Sequence, residues 1–535
     1  VKRREFLGVT AASGLAGRVP AATGSLPNDP ISNGQDGFEL NEITAAELGE
    51  AFAAGRWTSR QVTELYLSRI EAVDRRGPTL RSVIETNPEA IAIAESLDAE
   101  RKAGRVRGPL HGIPVLIKDN IDTADRMQTT AGSLALEGSI APRDAFIVER
   151  LRSAGAVLLG KTNLSEWANF RSSSSSSGWS GRGGQTRNPY VLDRSPCGSS
   201  SGSGTAGAAN LATLTIGTET DGSIVCPSSI AGLVGIKPTV GLWSRSGIIP
   251  ISHTQDTAGP MCRSVADAAA LLGPLTGVDS RDPATAASQG RHRGDYRVHL
   301  EIDGLRGARI GVIRKHMGVS AKTERVYDDA VRAMRAAGAI VVDPVDLPDP
   351  GPMGEAEWNL LAYEFKAGIA AYLASLGPTA PHRTLADLIA FNIANEAREM
   401  PYFRQETFEL AERKGPLASP GYRRLLATCR RLSRTQGLDP KFATHRLDAL
   451  VGVTAGPSWP IDLANGDRFT GGSSSYPAVA GYPSITVPAG EVHGLPIGLL
   501  FMGRPWSEGR LIELAYSFEQ ATKARQAPRF RPSLG

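Results

Sequence analysis

Apolar and polar positions change their spacing along this chain, and the change marks where helices give way to strands. Thr44-Ala-Ala-Glu47 and Thr58-Ser-Arg-Gln61 each place a threonine three residues before Glu or Gln, a reciprocal arrangement that satisfies two backbone N–H groups at a helix start. The first helix runs into Gly55. After the second start, Val62, Tyr66, Ile70 and Val73 recur at three- and four-residue steps until Gly77-Pro78 stops the pattern. A third helix is expected over about 89–102, and the Asn/Gly/Asp/Pro-rich residues 26–40 read as a loop.

From residue 110 short apolar runs take over. Runs at 113–117, 157–159, 211–216, 310–313, 340–342, 450–453, 484–487 and 497–501 read as buried strands, with helical segments such as 145–154 and 323–337 between them. Buried strands alternating with helices predict an α/β fold. A single large domain over 26–535 would hold a mixed, mostly parallel sheet with helices on both faces. About 350–440 lacks strand runs and reads as a helical insertion. In 171–204, Arg171 is followed by six serines and then by glycines. A flexible linker would be out of place between Trp167 and Tyr190, so an ordered loop lining a site is expected.

Composition narrows the function classes. The 535 residues carry 59 basic against 55 acidic side chains, a net charge of +4, and the basic ones are scattered, which leaves no nucleic-acid footprint. No run approaches the length of a membrane-spanning helix. Cys197, Cys226, Cys262 and Cys429 show no C-x-x-C, so four buried free thiols are expected rather than a zinc site or a disulfide framework. Lys2-Arg3-Arg4-Glu5-Phe6-Leu7, a mild apolar stretch and then Val19 and Ala21 have the layout of a twin-arginine signal peptide over about 1–25. That layout predicts a periplasmic or secreted protein.

Three blocks carry candidate chemistry. In Ile113-Pro-Val-Leu-Ile-Lys118-Asp119-Asn120 a lysine ends an apolar strand. If Lys118 is buried, moving its pKa from about 10.4 to near 7 takes roughly 4–5 kcal/mol and yields a neutral amine able to act as a general base. If it is not, it reaches solvent beside Asp119. Ser195-Pro-Cys-Gly-Ser199-Ser200-Ser201-Gly202-Ser203-Gly204 crowds hydroxyls at a helix start, suited to capping or to negative charge. Ile216-Gly-Thr-Glu219-Thr220-Asp221-Gly222-Ser223-Ile224 leads a strand into a turn with consecutive backbone N–H groups. Such a turn serves either as an oxyanion hole or as a plain connection.

Together the blocks resemble the amidase signature family, with Ser199 and Ser223 separated by 24 residues. The resemblance continues through Gly235-Ile-Lys-Pro-Thr239, Thr257-Ala-Gly-Pro260 and Gly494-Leu-Pro-Ile-Gly498, and covers roughly 40–525. It implies the amidase signature fold and hydrolysis of a carboxamide to an acid and ammonia. Ser223 would be the nucleophile and Ser199 the bridge to a neutral Lys118. The backbone of Thr220, Asp221, Gly222 and Ser223 would hold the oxyanion, and Ser200 would support the loop.

Residues 179–223 look most like the bacterial peptide amidases, which implies the C-terminal amide of peptides as substrate. The serine loop at 171–185 would bind the peptide backbone, beside a small pocket for the leaving NH2. Within the family, a broad aliphatic or aryl amidase is the alternative. A further one is the A subunit of a glutamyl-tRNA amidotransferase. The chain departs from the common motif at Glu219, where most members have Asp, and at Asp221, where they have Gly. Asp221 is therefore expected in the left-handed region, with a carboxylate that opposes the oxyanion unless it turns away.

Two other readings stay available. Gly198-Ser-Ser200-Ser-Gly202 matches the nucleophile elbow of α/β-hydrolases, with Asp467 and His493 following in triad order. The segment before it, 188–196, has two prolines where an elbow needs a strand. An exported binding protein is the non-enzymatic reading. The eight histidines show no ligand spacing, so neither a metal nor a cofactor is expected. The partner is a small-molecule or peptide amide; oligomeric state is left open, and a monomer fits.

Overall fold

Thr44 and Thr58 cap the helices Ala45–Ala53 and Ser59–Arg69, each hydroxyl accepting an N–H three residues on while Glu47 and Gln61 return to the cap backbone. The second helix and its π-helical continuation Ile70–Arg75 bury Val62, Tyr66, Ile70 and Val73 on one face. This computed structural model describes residues 37–378 and 380–534; the twin-arginine segment expected at 1–25 lies outside them.

The core is an 11-stranded sheet. From one edge its strands are Val83–Thr86, Val157–Thr162, Pro114–Lys118, Leu214–Glu219, Thr257–Cys262, Val234–Lys237, Ser484–Val492, Leu495–Met502, Ala449–Val453, Arg309–Val312 and Ile340–Val342. Neighbours are parallel through Val157–Thr162, Pro114–Lys118 and Leu214–Glu219, and again through Ala449–Val453, Arg309–Val312 and Ile340–Val342. Antiparallel pairs fill the middle. The fold is thus the single α/β domain read from the sequence.

Three strands escape the apolar-run criterion, and each pairs antiparallel: Val83–Thr86, Val234–Lys237 and Thr257–Cys262. The last contains Gly259 and Pro260, which argue against an internal strand. Gly259 is required there because a Cβ would sit 2.0 Å from the Ile236 carbonyl oxygen. The run expected at 211–216 is displaced, forming its strand at Leu214–Glu219.

Among the described residues, 351–445 hold helices and no strand, with Gly351–Ser375 the longest element. Its Phe365 packs with Trp167, Phe170 and Phe408 in a second apolar cluster, and its Gly368 and Tyr372 line a cavity together with Asn120, Thr218 and Glu219 at the carboxyl ends of Pro114–Lys118 and Leu214–Glu219. Sites in α/β sheets form at such strand ends.

Candidate active site

Lys118 is the last residue of its strand. The parallel register sets Ile117 against Ile216, so the lysine arrives beside Thr218. Its side chain is fully buried. Nζ lies 2.8 Å from Ser199 Oγ, 3.1 Å from Ser200 Oγ and 2.9 Å from Thr218 Oγ1. Desolvation pulls its pKa down to about 7, against the opposing negative charges of Asp256 and Glu219. A lysine reaching solvent beside Asp119 is therefore not what forms.

Ser200 begins the helix Ser201–Ala208 but does not cap it with its side chain. Its hydroxyl donates to the Thr218 carbonyl at 3.0 Å and accepts the Thr218 N–H at 3.1 Å, so it clamps the serine loop to the strand carrying the oxyanion turn. Gly217 leaves room for that clamp, since a Cβ there would lie 2.7 Å from Ser200 Oγ. The Ser200 N–H donates to the Ser223 carbonyl at 3.2 Å, which brings the two serine-bearing loops into contact.

The expectation of four free thiols is corrected here: Cys197 and Cys226 form a disulfide, while Cys262 and Cys429 are free and buried. Spacing did not disclose it because the pairing depends on a loop and a helix start meeting in space. The loop carries Ser199, and the helix Val225–Ile230 follows directly on the Ser223 turn.

In the turn after Leu214–Glu219, the Glu219 carboxylate accepts the N–H groups of Ile224 and Val225 at 2.7 and 3.0 Å. Among the described residues none accepts from the N–H groups of Asp221, Gly222 or Ser223, which leaves three adjacent donors available. Gly222, not Asp221, takes the positive φ, at 76°, so the strain expected at Asp221 does not arise. The Asp221 carboxylate is held by the Ser474 hydroxyl at 2.6 Å.

Ser223, 9% exposed, opens into a cavity of about 400 Å³ whose walls include Phe170, Trp358, Trp459 and Phe469. A larger cavity of about 680 Å³ shares Ala168, Thr220 and Ile251 with it but lacks Ser223. Of the six serines after Arg171 only Ser177 reaches the nucleophile's cavity. Ser172 and Ser173 instead bind the Glu406 carboxylate, which corrects the picture of a serine-lined peptide cradle.

The triad Ser200–Asp467–His493 is not assembled. Ser200 is buried against Thr218, Asp467 accepts from Ser177 and Trp459, and His493 is exposed at 2.8 Å from Lys322 Nζ. Among the described residues no group of three His, Cys, Asp or Glu side chains is arranged to hold a metal ion.

A family model described as Amidase matches residues 61–512. The chain belongs to the amidase family. Among solved amidases, the native peptide amidase from Stenotrophomonas maltophilia shares 56% identity at a TM-score of 0.89, covering 92% of this chain and 99% of that one. A protein of Arabidopsis thaliana named a probable amidase is 44% identical over 502 residues, 92% of each chain. A putative amidase of Arthroderma benhamiae is 39% identical over 526 residues, 92% of this chain and 85% of that one. This amidase is accordingly an amidohydrolase.

Two polar residues of the amidase site were not singled out in the sequence, although Thr218 lies inside a quoted block and Asp256 adjoins one. Thr218 binds Lys118 and takes the Asn120 amide at 3.0 Å. Asp256, immediately before Thr257-Ala-Gly-Pro260, accepts the Thr220 hydroxyl at 2.6 Å and the N–H groups of Ile251 and Ser252 at 2.8 Å each. Burial pushes its carboxyl up to about 6.

Proposed function

We propose that this amidase hydrolyses the C-terminal carboxamide of peptides through Ser223, Ser199 and Lys118. Ser223 Oγ attacks the carbonyl carbon while its proton passes to Ser199 and the Ser199 proton to neutral Lys118. The N–H groups of Asp221, Gly222 and Ser223 receive the oxyanion, each effective donor contributing about 3–4 kcal/mol. Collapse breaks the C–N bond, the relay returns the proton to the departing nitrogen, and ammonia leaves. Water then attacks the acyl-enzyme by the same relay, giving the free acid. The observation carrying this chemistry is the buried Lys118 amine, 2.8 Å from Ser199 Oγ with its pKa lowered to about 7. An ammonium could not accept the proton.

The substrate class is supported by likeness to the Stenotrophomonas maltophilia peptide amidase across the chain. The cavity adds to that support: among the described residues no Lys, Arg or His lines it, so nothing there would fix a C-terminal carboxylate. The test compares ammonia release from dipeptide amides with cleavage of matching tripeptides and hydrolysis of simple aliphatic and aryl amides. Peptide amides should give the highest kcat/KM, and simple amides that outrun every peptide amide would make this a general amidase.

The same reading places the enzyme outside the cytoplasm, through the twin-arginine sequence at Arg3-Arg4. A disulfide between Cys197 and Cys226 supports an oxidising compartment.

A further inference from the structure

Asp221, Glu357 and Asp467 line the cavity that holds Ser223, and among the described residues no basic side chain joins them. Two of the three carboxylates are held by neighbouring donors. Asp221 accepts the Ser474 hydroxyl at 2.6 Å, and Asp467 accepts the Ser177 N–H at 2.9 Å and the Trp459 indole N–H at 3.0 Å on its two oxygens.

Glu357 differs. It stands on the helix Gly351–Ser375, is only 7% exposed, and reaches the cavity from above the nucleophile's turn. One of its oxygens takes the Gln255 amide at 2.7 Å; no described residue donates to the other. The same Gln255 nitrogen lies 3.4 Å from the Thr220 carbonyl, so Glu357 is one side chain removed from the turn that carries Ser223. A carboxylate held out of water without a counter-charge is costly. Burial and the nearby charge of Asp221 accordingly hold its carboxyl well above the usual carboxylate range. Its neighbour Trp358 packs against Phe170 with tilted rings 5.4 Å apart, and both rings line the same cavity, a setting that accommodates cations over aromatic faces.

We infer that Glu357 is a specificity-determining residue that receives a positively charged group of the substrate, an ammonium or guanidinium, at its unpaired oxygen. This inference rests on the peptide-amide reading above and names the charge such a peptide carries. The substrate cation supplies the counter-charge that the protein's own side chains do not.

Four amides test it: Nα-acetyl-norleucinamide as the neutral reference, Nα-acetyl-lysinamide with a side-chain cation, norleucinamide with a free α-ammonium, and Nα-acetyl-glutamic acid α-amide with an anion. For the wild type, kcat/KM should favour one of the two cationic amides over the reference by about tenfold to a hundredfold, the value of a hydrogen bond to a charged group. Which of the two is favoured tells the source of the charge. Glu357→Gln should collapse that ratio towards unity, and Glu357→Asp, which keeps the charge, should retain part of it. A wild type that hydrolyses the neutral reference as well as both cationic amides would overturn the inference, as would a preference unchanged in Glu357→Gln. Failure of all four amides to release ammonia would instead overturn the peptide-amide reading, and the inference with it.

Discussion

Cys197 and Cys226 are disulfide-bonded with their Cα atoms 6.2 Å apart, and the bond ties the loop of Ser199 to the helix that follows the Ser223 turn. The link joins positions 29 residues apart in sequence, a constraint worth about 3.5 kcal/mol of stability. The double substitution Cys197→Ser with Cys226→Ser should lower denaturant stability by about that amount. It should also reduce kcat more than it raises KM, because the two serines lose a shared anchor. Unfolding curves and steady-state kinetics on the same preparation check both, and an unchanged kcat would separate the disulfide from catalysis.

Lys118 should carry a stability cost that depends on pH. Its pKa is lowered to about 7 in the fold from about 10.4 in an unfolded chain. Between those values the unfolded chain binds one more proton, so the wild type gains stability as pH rises through that window and bears the full cost below it. Lys118→Met should therefore abolish turnover yet be more stable at neutral pH by about 1–2 kcal/mol, a net of lost hydrogen bonds against relieved desolvation. The advantage should shrink as pH approaches 10. Denaturant titrations at several pH values show the trend, and a Lys118→Met protein less stable than wild type at every pH would contradict it.

The part of this site that was legible in the sequence is the part written in local spacing. Lys118 closes an apolar run, Gly222-Ser223 ends a strand, and two capping boxes start helices, each a pattern within a few residues. What escaped depends on distant segments meeting. Glu357 and Cys226 gain their roles only when the 351–375 helix, a loop and a second helix start converge, and Pro260 lies in a strand whose composition argues against one. The serine block at 195–204 suits helix capping by its composition, yet the Ser200 hydroxyl is taken by Lys118 and Thr218, because a buried amine needs partners more than a helix end does.

Ser474 restrains the carboxylate that would oppose the oxyanion. Its hydroxyl lies 2.6 Å from Asp221 Oδ1, next to the three free N–H groups. Ser474→Ala should lower kcat/KM by about tenfold, equivalent to 1.4 kcal/mol of lost transition-state stabilisation, with kcat carrying most of the loss. Asp221→Asn should restore much of it in the double variant. No change in Ser474→Ala would mean that the carboxylate does not reach the oxyanion.

Export is testable apart from chemistry. Cells expressing the full chain should deliver activity to the periplasmic fraction, and replacing Arg3 and Arg4 by lysine should retain it in the cytoplasm. Unchanged delivery by the variant, or wild-type activity found only in the cytoplasm, would remove the proposed location.

Ser223 should be the residue acylated during turnover, with its proton passing through Ser199 to Lys118. A fluorophosphonate probe reports it directly, because the reagent marks an activated serine covalently and peptide mass spectrometry locates the adduct. One adduct is predicted, on Ser223, formed at a rate that rises with pH through about 7 and lost in Lys118→Met. An adduct on Ser200, or labelling of Ser223 that persists undiminished without Lys118, would contradict the account.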